Sequence, residues 1–399
     1  MKSWPGVDIP SVPFKISTLE LIDAMSGEKK SITVPDSTSY IYVCGITPYD
    51  STHIGHATTY VFFDVLHRTL LSSGKPIMMI ENVTDIDDPL FSKADELQRD
   101  WQELANEQVV RFRKDMTLLR VLPPQQFVAV SEVLGKVVTD IEKLLLIDAA
   151  YVLDGDIYFY YRGTEATTEE IRTFRERGGD PDREGKQHPL DALLWKCVGE
   201  QPNFPSPWGY GRPGWHIECV SIIENFSKQS LLIQAGGSDL KFPHHEMSNQ
   251  QFCALTGESK LAEVYFHVAM VTYQGEKMSK SLGNLVFVDE LLQRGYSAME
   301  IRYAILMQDY STSWEWTEEL LAVSQSRYQK LIAALSCETT ADAETTLDDV
   351  VRALSRNLNT KSALAALDRW ADLTLSTQGP CSHAGLVSRT IDALLGIGI

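Results

Sequence analysis

The chain has 399 residues, of which 44% are hydrophobic and 23% charged, and its formal net charge is −18 at pH 7. This length favours one large domain with a smaller one, and no apolar run approaches the roughly 20 residues that span a membrane. The negative charge argues against broad, non-specific binding to nucleic acid. No secretory signal pattern is present and the six cysteines lack a framework spacing, so we expect a cytoplasmic protein with reduced thiols.

The first part of the chain predicts a βαβ unit. Residues 1–38 contain four prolines and predict a lead-in with one short strand or hairpin. Residues 39–44 predict a buried strand, residues 55–73 carry apolar side chains at helical spacing, and residues 76–83 predict a second strand. Strand, turn, helix and strand in this order indicate a parallel sheet.

Residues at the predicted strand ends are candidates for ligand binding. Cys44 ends the first strand, residues 82–84 end the second, and residues 236–239 follow a strand predicted at 231–234. Because ligands bind at the carboxyl ends of parallel strands, we expect these residues to face one crevice.

The rest of the chain predicts further helices and one hairpin. A stretch at about 91–190 is helix-forming, charged and polar, and we interpret it as an insertion into the sheet domain. The other predicted elements are an Asp-Gly hairpin at 151–160, a helix at 243–256 with Pro243 in its first turn, and helical segments at 286–335 and 341–378. The predicted fold is α/β: a Rossmann-like, parallel-sheet nucleotide-binding domain with an α-rich insertion and a C-terminal helical domain.

Two short motifs predict an ATP site. His53-Ile54-Gly55-His56 precedes a helix, whose free N–H groups and partial positive charge attract phosphate. Lys277-Met278-Ser279-Lys280-Ser281 carries two lysines that can neutralise charge developing on phosphates. Either motif alone has an ordinary interpretation, as a strand-to-helix turn or a solvated loop. Together, flanking a βαβ pattern, they resemble the class I aminoacyl-tRNA synthetases.

A set of two cysteines and one histidine predicts a zinc site. Cys44, Cys219 and His244 are residue types that suit tetrahedral Zn²⁺, and three protein ligands leave one position open. Buried cysteines also occur simply as small hydrophobic residues. The sequences around all three resemble cysteinyl-tRNA synthetase over roughly residues 38–310, and an open zinc would select cysteine through its thiolate.

Three features depart from cysteinyl-tRNA synthetase. Ser248 stands where a glutamate would complete a closed zinc site, and residues 341–399 carry seven acidic against five basic residues, a poor surface for RNA. The stretches 176–181 and 314–317 resemble a sister family, the mycothiol-pathway cysteine ligases of actinobacteria, which join cysteine to the amine of glucosaminyl-inositol.

The resemblance implies a role for each matching residue. His53, His56, Lys277 and Lys280 would be catalytic, and Cys44, Cys219 and His244 would bind one zinc ion. ATP with Mg²⁺ would be a substrate. The residues expected around the cysteinyl-adenylate are Cys44, Gly45, Ile46, Thr47, Thr59, Asn82, Val83, Thr84, Trp215, Gly237, Ser238, Asp239 and Val271. His216 and His245 are interpreted as packing or supporting histidines, and His67, His188, His267 and His383 as histidines without a role in the site.

The predicted function is therefore ATP-dependent ligation of L-cysteine to an aminosugar-inositol acceptor through cysteinyl-adenylate. A truncated cysteinyl-tRNA synthetase and a zinc-bearing paralogue without catalysis remain as alternatives. We expect a monomer with no nucleic-acid or membrane partner. The predicted division is a class I synthetase-like catalytic domain at 1–285 and a stem-contact-like segment with a C-terminal helical domain at 286–399. The sequence does not identify the acceptor pocket or the base that deprotonates the amine.

Overall fold

Strands and helices alternate along most of the computed structural model, which describes residues 1–49, 52–278, 283–376 and 381–399. The elements up to residue 146 are β1 Thr18–Ile22, β2 Lys29–Thr33, β3 Ser39–Ile46, α1 Ile54–Leu71, β4 Ile77–Val83, α2 Asp88–Glu96, α3 Trp101–Leu118, β5 Gln126–Ala129 and α4 Leu134–Leu146. Those of the middle part are β6 Ala150–Leu153, β7 Asp156–Phe159, α5 Thr168–Glu176, β8 Ala192–Cys197, β9 Phe204–Ser206, β10 Gly209–Pro213, α6 Trp215–Ser227, β11 Leu231–Gly237, α7 Glu246–Thr256, β12 Ala262–Val268, β13 Val271–Tyr273 and β14 Glu276–Lys277. The last part contains α8 Val288–Gln293, α9 Ala298–Leu306, β15 Trp314–Glu315, α10 Glu318–Leu335, α11 Glu344–Ser355, α12 Thr360–Ser376 and α13 Ala384–Leu395.

The central sheet has five parallel strands in the order β12-β11-β3-β4-β5. The chain adds β4 and β5 on one side of β3 and later adds β11 and β12 on the other. The winding therefore reverses between β3 and β11, which is where open α/β sheets form a ligand crevice. The parallel, Rossmann-like α/β sheet predicted from the sequence is confirmed.

Alternation along β3 directs neighbouring side chains to opposite faces of this sheet. Ile41 and Val43 pack in one apolar cluster with α1 and the C-terminal helices. Tyr42 and Cys44 pack in a second cluster, with α6. The thiol of Cys44 is thus on the face of the sheet that α6 covers.

A second, antiparallel sheet has the order β6-β7-β8-β10-β9. Its first two strands form the predicted hairpin, and the turn residues Asp154 and Gly155 both have positive φ, as a two-residue turn requires. Much of the predicted insertion at 91–190 is helical, but it also supplies β5 to the parallel sheet, and the antiparallel sheet extends beyond it to Pro213. The predicted domain boundary at 285 stays a prediction.

One helix prediction agrees with the structure and another differs from it. The helix expected at 243–256 is present: α7 is preceded by a π-helical turn at Lys241–His245, in which Phe242 is extended, with φ −134° and ψ 136°. The segment predicted as helical at 341–378 is divided into α11 and α12, since Asn357 and Leu358 between them have positive φ.

A buried ionic cluster connects α1 to the C-terminal helices. Asp64, Arg68 and Arg302 have fully buried side chains; Asp64 Oδ2 accepts from Arg68 Nε at 2.7 Å and also from Arg302. Asp64 Oδ1 accepts from the backbone N–H of Leu122 at 2.8 Å. The other guanidinium N–H groups donate to the backbone carbonyls of Leu119, Arg120, Asp392 and Leu395. The cluster therefore holds α1, α9 and α13 to the segment that precedes β5.

We expect Asp64→Asn to lower the free energy of unfolding by about 3–5 kcal/mol, because it leaves Arg68 and Arg302 buried without their counter-charge. Denaturant unfolding measures this change. The control is Asp372→Asn, which breaks an exposed pair with Lys330 (2.7 Å) and should cost about 0–1 kcal/mol. Equal losses in the two variants would contradict the importance of the buried cluster.

The contribution of Asp64 also depends on pH. Burial alone would raise the pKa of Asp64, but the charges of Arg68 and Arg302 outweigh it and hold the pKa below its usual 3.8. Because the folded-state pKa is lowered, the stabilisation is present at neutral pH and lost in acid. The stability difference between wild type and Asp64→Asn should shrink below about pH 4 in denaturant titrations.

Candidate functional site

A cavity of about 530 Å³ opens at the carboxyl ends of β3, β4 and β11. The sequence-predicted residues that line it are Cys44, Gly45, Ile46, Thr47, His53, His56, Thr59, Asn82, Thr84, Trp215, Cys219, Gly237, Asp239, His244, Val271 and Lys277. Val83 is not among them because its side chain is in the apolar core, and Ser238 is exposed in the turn after β11. Lys280 lies outside the described residues.

Cys44, Cys219 and His244 converge at one end of the cavity from β3, α6 and the turn before α7. Their candidate ligand atoms all lie within 4.8 Å of one another, and all three side chains are buried. The ring of Trp215 stacks on His244 with centroids 4.2 Å apart. Burial raises the pKa of the Cys44 thiol, whereas the hydrogen bond with Cys44 lowers that of Cys219. Negative charge is therefore favoured on Cys219, and this donor set suits a zinc ion.

The cysteine and histidine group contains three candidate ligands among the described residues. Ser248 stands where a glutamate would complete a closed zinc site. It is 2% exposed, and its hydroxyl has no hydrogen-bond partner in the part of the chain that the structure describes. The geometry leaves room for the open coordination position predicted from the sequence. Zinc itself stays a prediction.

A second layer of buried polar groups supports Cys44. His245 Nε2 lies 3.2 Å from the Cys44 sulfur, and the Gln234 amide nitrogen lies 3.4 Å from it. His245 Nδ1 in turn lies 2.7 Å from His267 Nε2. Burial lowers the pKa of His245, and that of His267 to about 4, so both imidazoles are neutral near pH 7. Such contacts fix the orientation of a metal ligand.

His216 supports His244 in the same way, with their Nδ1 atoms 3.1 Å apart. Burial holds the pKa of His216 well below its usual value. The sequence interpretation of His216 and His245 as supporting histidines agrees with these contacts. Sequence reasoning missed Gln234, because this residue belongs to none of the motifs. Its amide comes close to Cys44 only because β11 lies beside β3 in the sheet.

The backbone of β3 is irregular at the mouth of the cavity. Its register with β4 shifts between Val43 and Ile46, and β3 continues past Cys44, where the predicted strand ended. The N–H of Gly45 donates to Asn82 Oδ1 at 2.9 Å, and a Cβ atom at this position would lie 1.7 Å from the Asn82 carbonyl oxygen. A bulge beside a site redirects side chains, and here it requires glycine.

The histidine motif caps the N-terminus of α1 and also lines the cavity. His53 Nδ1 accepts from the N–H of Gly55 at 3.1 Å, and the rings of His53 and His56 stack with centroids 3.9 Å apart. Because Nδ1 is the acceptor, a neutral His53 carries its proton on Nε2 and can donate from there. Thr59 donates its hydroxyl to the carbonyl of Gly55 at 3.1 Å.

Several lining residues were not predicted as site residues. They are Tyr49, Tyr60, Leu240, Ala269, Met270, Leu285 and, inside the lysine motif, Met278. Ala269 and Met270 directly follow β12, so the strand-end rule that selected residues 82–84 could have found them. Tyr60 follows His56 by one helical turn, which places it on the same side of α1.

The comparisons with known proteins agree with this geometry. The family described as "tRNA synthetases class I (C) catalytic domain" matches residues 32–326. Proteins named L-cysteine:1D-myo-inositol 2-amino-2-deoxy-alpha-D-glucopyranoside ligase are 44% identical to this chain in Streptomyces griseus subsp. griseus and Kribbella flavida, and 42% in Thermobifida fusca. These matches cover 100% of this chain and 99–100% of each relative. The chain belongs to the cysteine ligase family of class I synthetases.

Solved class I structures share the fold of this ligase family member. Mycobacterium tuberculosis methionyl-tRNA synthetase bound by methionyl-adenylate has a TM-score of 0.61 at 13% identity, covering 90% of this chain and 92% of that one. The Agrobacterium radiobacter K84 agnB2 LeuRS in its ternary complex has a TM-score of 0.64 at 10% identity, covering 92% and 84%. These structures agree in fold, and the family membership inferred from the two motifs is confirmed by the family match and the full-length relatives.

We expect Gly45→Ala to lower the free energy of unfolding by about 1–3 kcal/mol, because its methyl group must displace the Asn82 carbonyl. The control is Gly135→Ala in α4, where a Cβ would meet nothing within 4 Å and where alanine favours the helix by about 0.5–1 kcal/mol. Thermal and denaturant unfolding measure both. A Gly45→Ala protein as stable as wild type would show that β3 and β4 are not held this closely.

Proposed function

We propose that this protein joins L-cysteine to the amine of 1D-myo-inositol 2-amino-2-deoxy-alpha-D-glucopyranoside, with ATP converted to AMP and diphosphate. The carrying observation is that one cavity is lined by both the Cys44, Cys219 and His244 group and the His53, His56 and Lys277 group. The relatives that bear this ligase name match along the whole chain, which supports the aminosugar rather than tRNA as acceptor.

In the first step the cysteine carboxylate attacks the α-phosphate of ATP and diphosphate leaves. His53 and His56 donate to phosphate oxygens, and Lys277 lies in a hairpin at the rim, half-exposed, where it can follow the charge on the leaving group. Lys280 is assigned the same role from the motif. Val271, Gly237 and Asp239 are assigned to the adenosine, and Mg²⁺ accompanies the ATP.

The side chain of the substrate cysteine is recognised by the cysteine and histidine group of the cavity. Cys44, Cys219 and His244 would hold zinc, and zinc bound there would take the substrate thiolate in its open position. Trp215, stacked on His244, closes this part of the cavity. In the second step the neutral amine of the acceptor attacks the carbonyl carbon of the adenylate, AMP leaves, and the amide nitrogen releases a proton.

We further propose a cytoplasmic monomer in which residues 1–285 carry the chemistry and residues 286–399 support them. All six cysteines are free thiols, which supports a reducing compartment. Among the described residues, no helix is long and apolar enough to cross a membrane.

Acceptor dependence tests the proposed reaction. Purified protein should release diphosphate with ATP and cysteine, and should form the amide only when the aminosugar-inositol is added. Mass spectrometry detects the amide, and acid-precipitable label detects cysteinyl-tRNA in a parallel reaction with tRNA. Cysteinyl-tRNA without any amide product would refute the proposal in favour of the truncated synthetase.

Zinc is tested by Cys219→Ala. We expect this variant to lose its bound zinc, measured by metal analysis of the purified protein, and to lose discrimination against serine in ATP–pyrophosphate exchange. Cys337→Ala, outside the cavity, is the control and should retain both. Full selectivity in Cys219→Ala with no bound metal would refute the role of zinc in reading cysteine.

A further inference from the structure

The C-terminal end of α5, in the predicted insertion, contacts a residue that lines the cavity. Arg177 directly follows α5, and its Nη1 lies 3.3 Å from Asp239 Oδ2. The two residues are far apart in sequence, and Asp239 lines the cavity at the end of β11. The two side chains are 33% and 29% exposed, so the ion pair is accessible to a ligand.

The loop that follows Arg177 is built to hold it in place. Gly178 has φ +87°, which favours glycine, and a Cβ atom at Gly179 would lie 2.4 Å from the ring of Phe174. Lys186, only 2% exposed, pairs with Asp180 at 3.1 Å. Its ammonium also lies 5.1 Å from the centre of the Phe174 ring. The backbone that follows Arg177 is therefore held by packing.

The same element is attached to the proposed zinc side of the cavity. Phe174 of α5 packs with Met247 of α7, and Phe242 packs against the same cluster. Phe242 and Met247 flank His244 in sequence. The helix that precedes Arg177, α5, therefore also packs against the segment that positions His244.

The two oxygens of Asp239 have different surroundings. Oδ2 faces Arg177 and, at 4.0 Å, the ammonium of Lys277. Oδ1 lies over Gly237, where a Cβ atom would be only 2.6 Å away. An aspartate after a strand of this kind of sheet binds ribose hydroxyls, and glycine lets the ligand approach the backbone.

We propose that Arg177 is a positioning residue of the nucleotide site. It holds Asp239 through Oδ2 so that Oδ1, over Gly237, accepts from the ribose hydroxyls of ATP. This inference rests on the proposed function, since it takes Asp239 as the ribose ligand. It gives Arg177, within the stretch 176–181, a role in nucleotide affinity.

Steady-state ATP–pyrophosphate exchange tests the inference. We expect Arg177→Gln to raise the KM for ATP about tenfold, with kcat and the KM for cysteine within about twofold of wild type. Arg177→Lys should recover part of the loss, because lysine keeps the charge without the planar guanidinium. The matched control is Arg175→Gln, which breaks an exposed pair with Asp182 (2.6 Å) two residues earlier and should leave all three parameters unchanged.

A nucleotide without ribose hydroxyls distinguishes positioning from a structural effect. With 2′,3′-dideoxyATP, the ratio of dissociation constants between Arg177→Gln and wild type should fall towards one in equilibrium binding. A ratio unchanged from that with ATP, or equal ATP affinities for Arg177→Gln and Arg175→Gln, would overturn the inference. Equilibrium binding of ATP requires no catalytic turnover. It therefore tests the role of Arg177 even if the protein releases no diphosphate and the proposed reaction is refuted.

Discussion

At β3 the winding of the chain around the parallel sheet reverses, and the carboxyl ends of β3, β4 and β11 meet at one edge. The bulge between Val43 and Ile46 brings the backbone of β3 so close to Asn82 that only a hydrogen atom fits at position 45. This close approach fixes the position of Cys44 in β3. The cysteine and histidine group, the capped N-terminus of α1 and the turn after β11 are all arranged around that point.

Buried polar groups are concentrated in two places, and they serve different purposes. The Asp64, Arg68 and Arg302 cluster joins helices on the α1 face of the sheet, away from the ligand cavity. The row from His216 through His244 and His245 to His267 lies beside the cavity, where burial keeps three of these imidazoles neutral. Neutral imidazoles can bind or support a metal, so the second group serves the proposed chemistry and the first serves stability.

The class I fold persists between this chain and solved synthetases at 10–13% identity, so the fold alone does not select the substrate. Selection is assigned instead to a few side chains of one cavity. Two thiols and one imidazole form one group in its lining, and two imidazoles with a lysine belong to another. The proposed pair of Arg177 and Asp239 adds a third element, through which the insertion contributes to nucleotide binding.

The sequence by itself determined the βαβ unit, the Asp-Gly hairpin and the family, because periodicity, turn residues and short motifs are local signals. It also named most of the residues that line the cavity, a few through the strand ends that share one edge of a parallel sheet and the others through the family resemblance. It did not predict that β5 joins the parallel sheet or that Gln234 and His267 support Cys44 and His245. The contact between Arg177 and Asp239 was also hidden. Only tertiary structure decided these features, because each depends on packing between segments that are distant in sequence and that leave no periodic pattern in either partner.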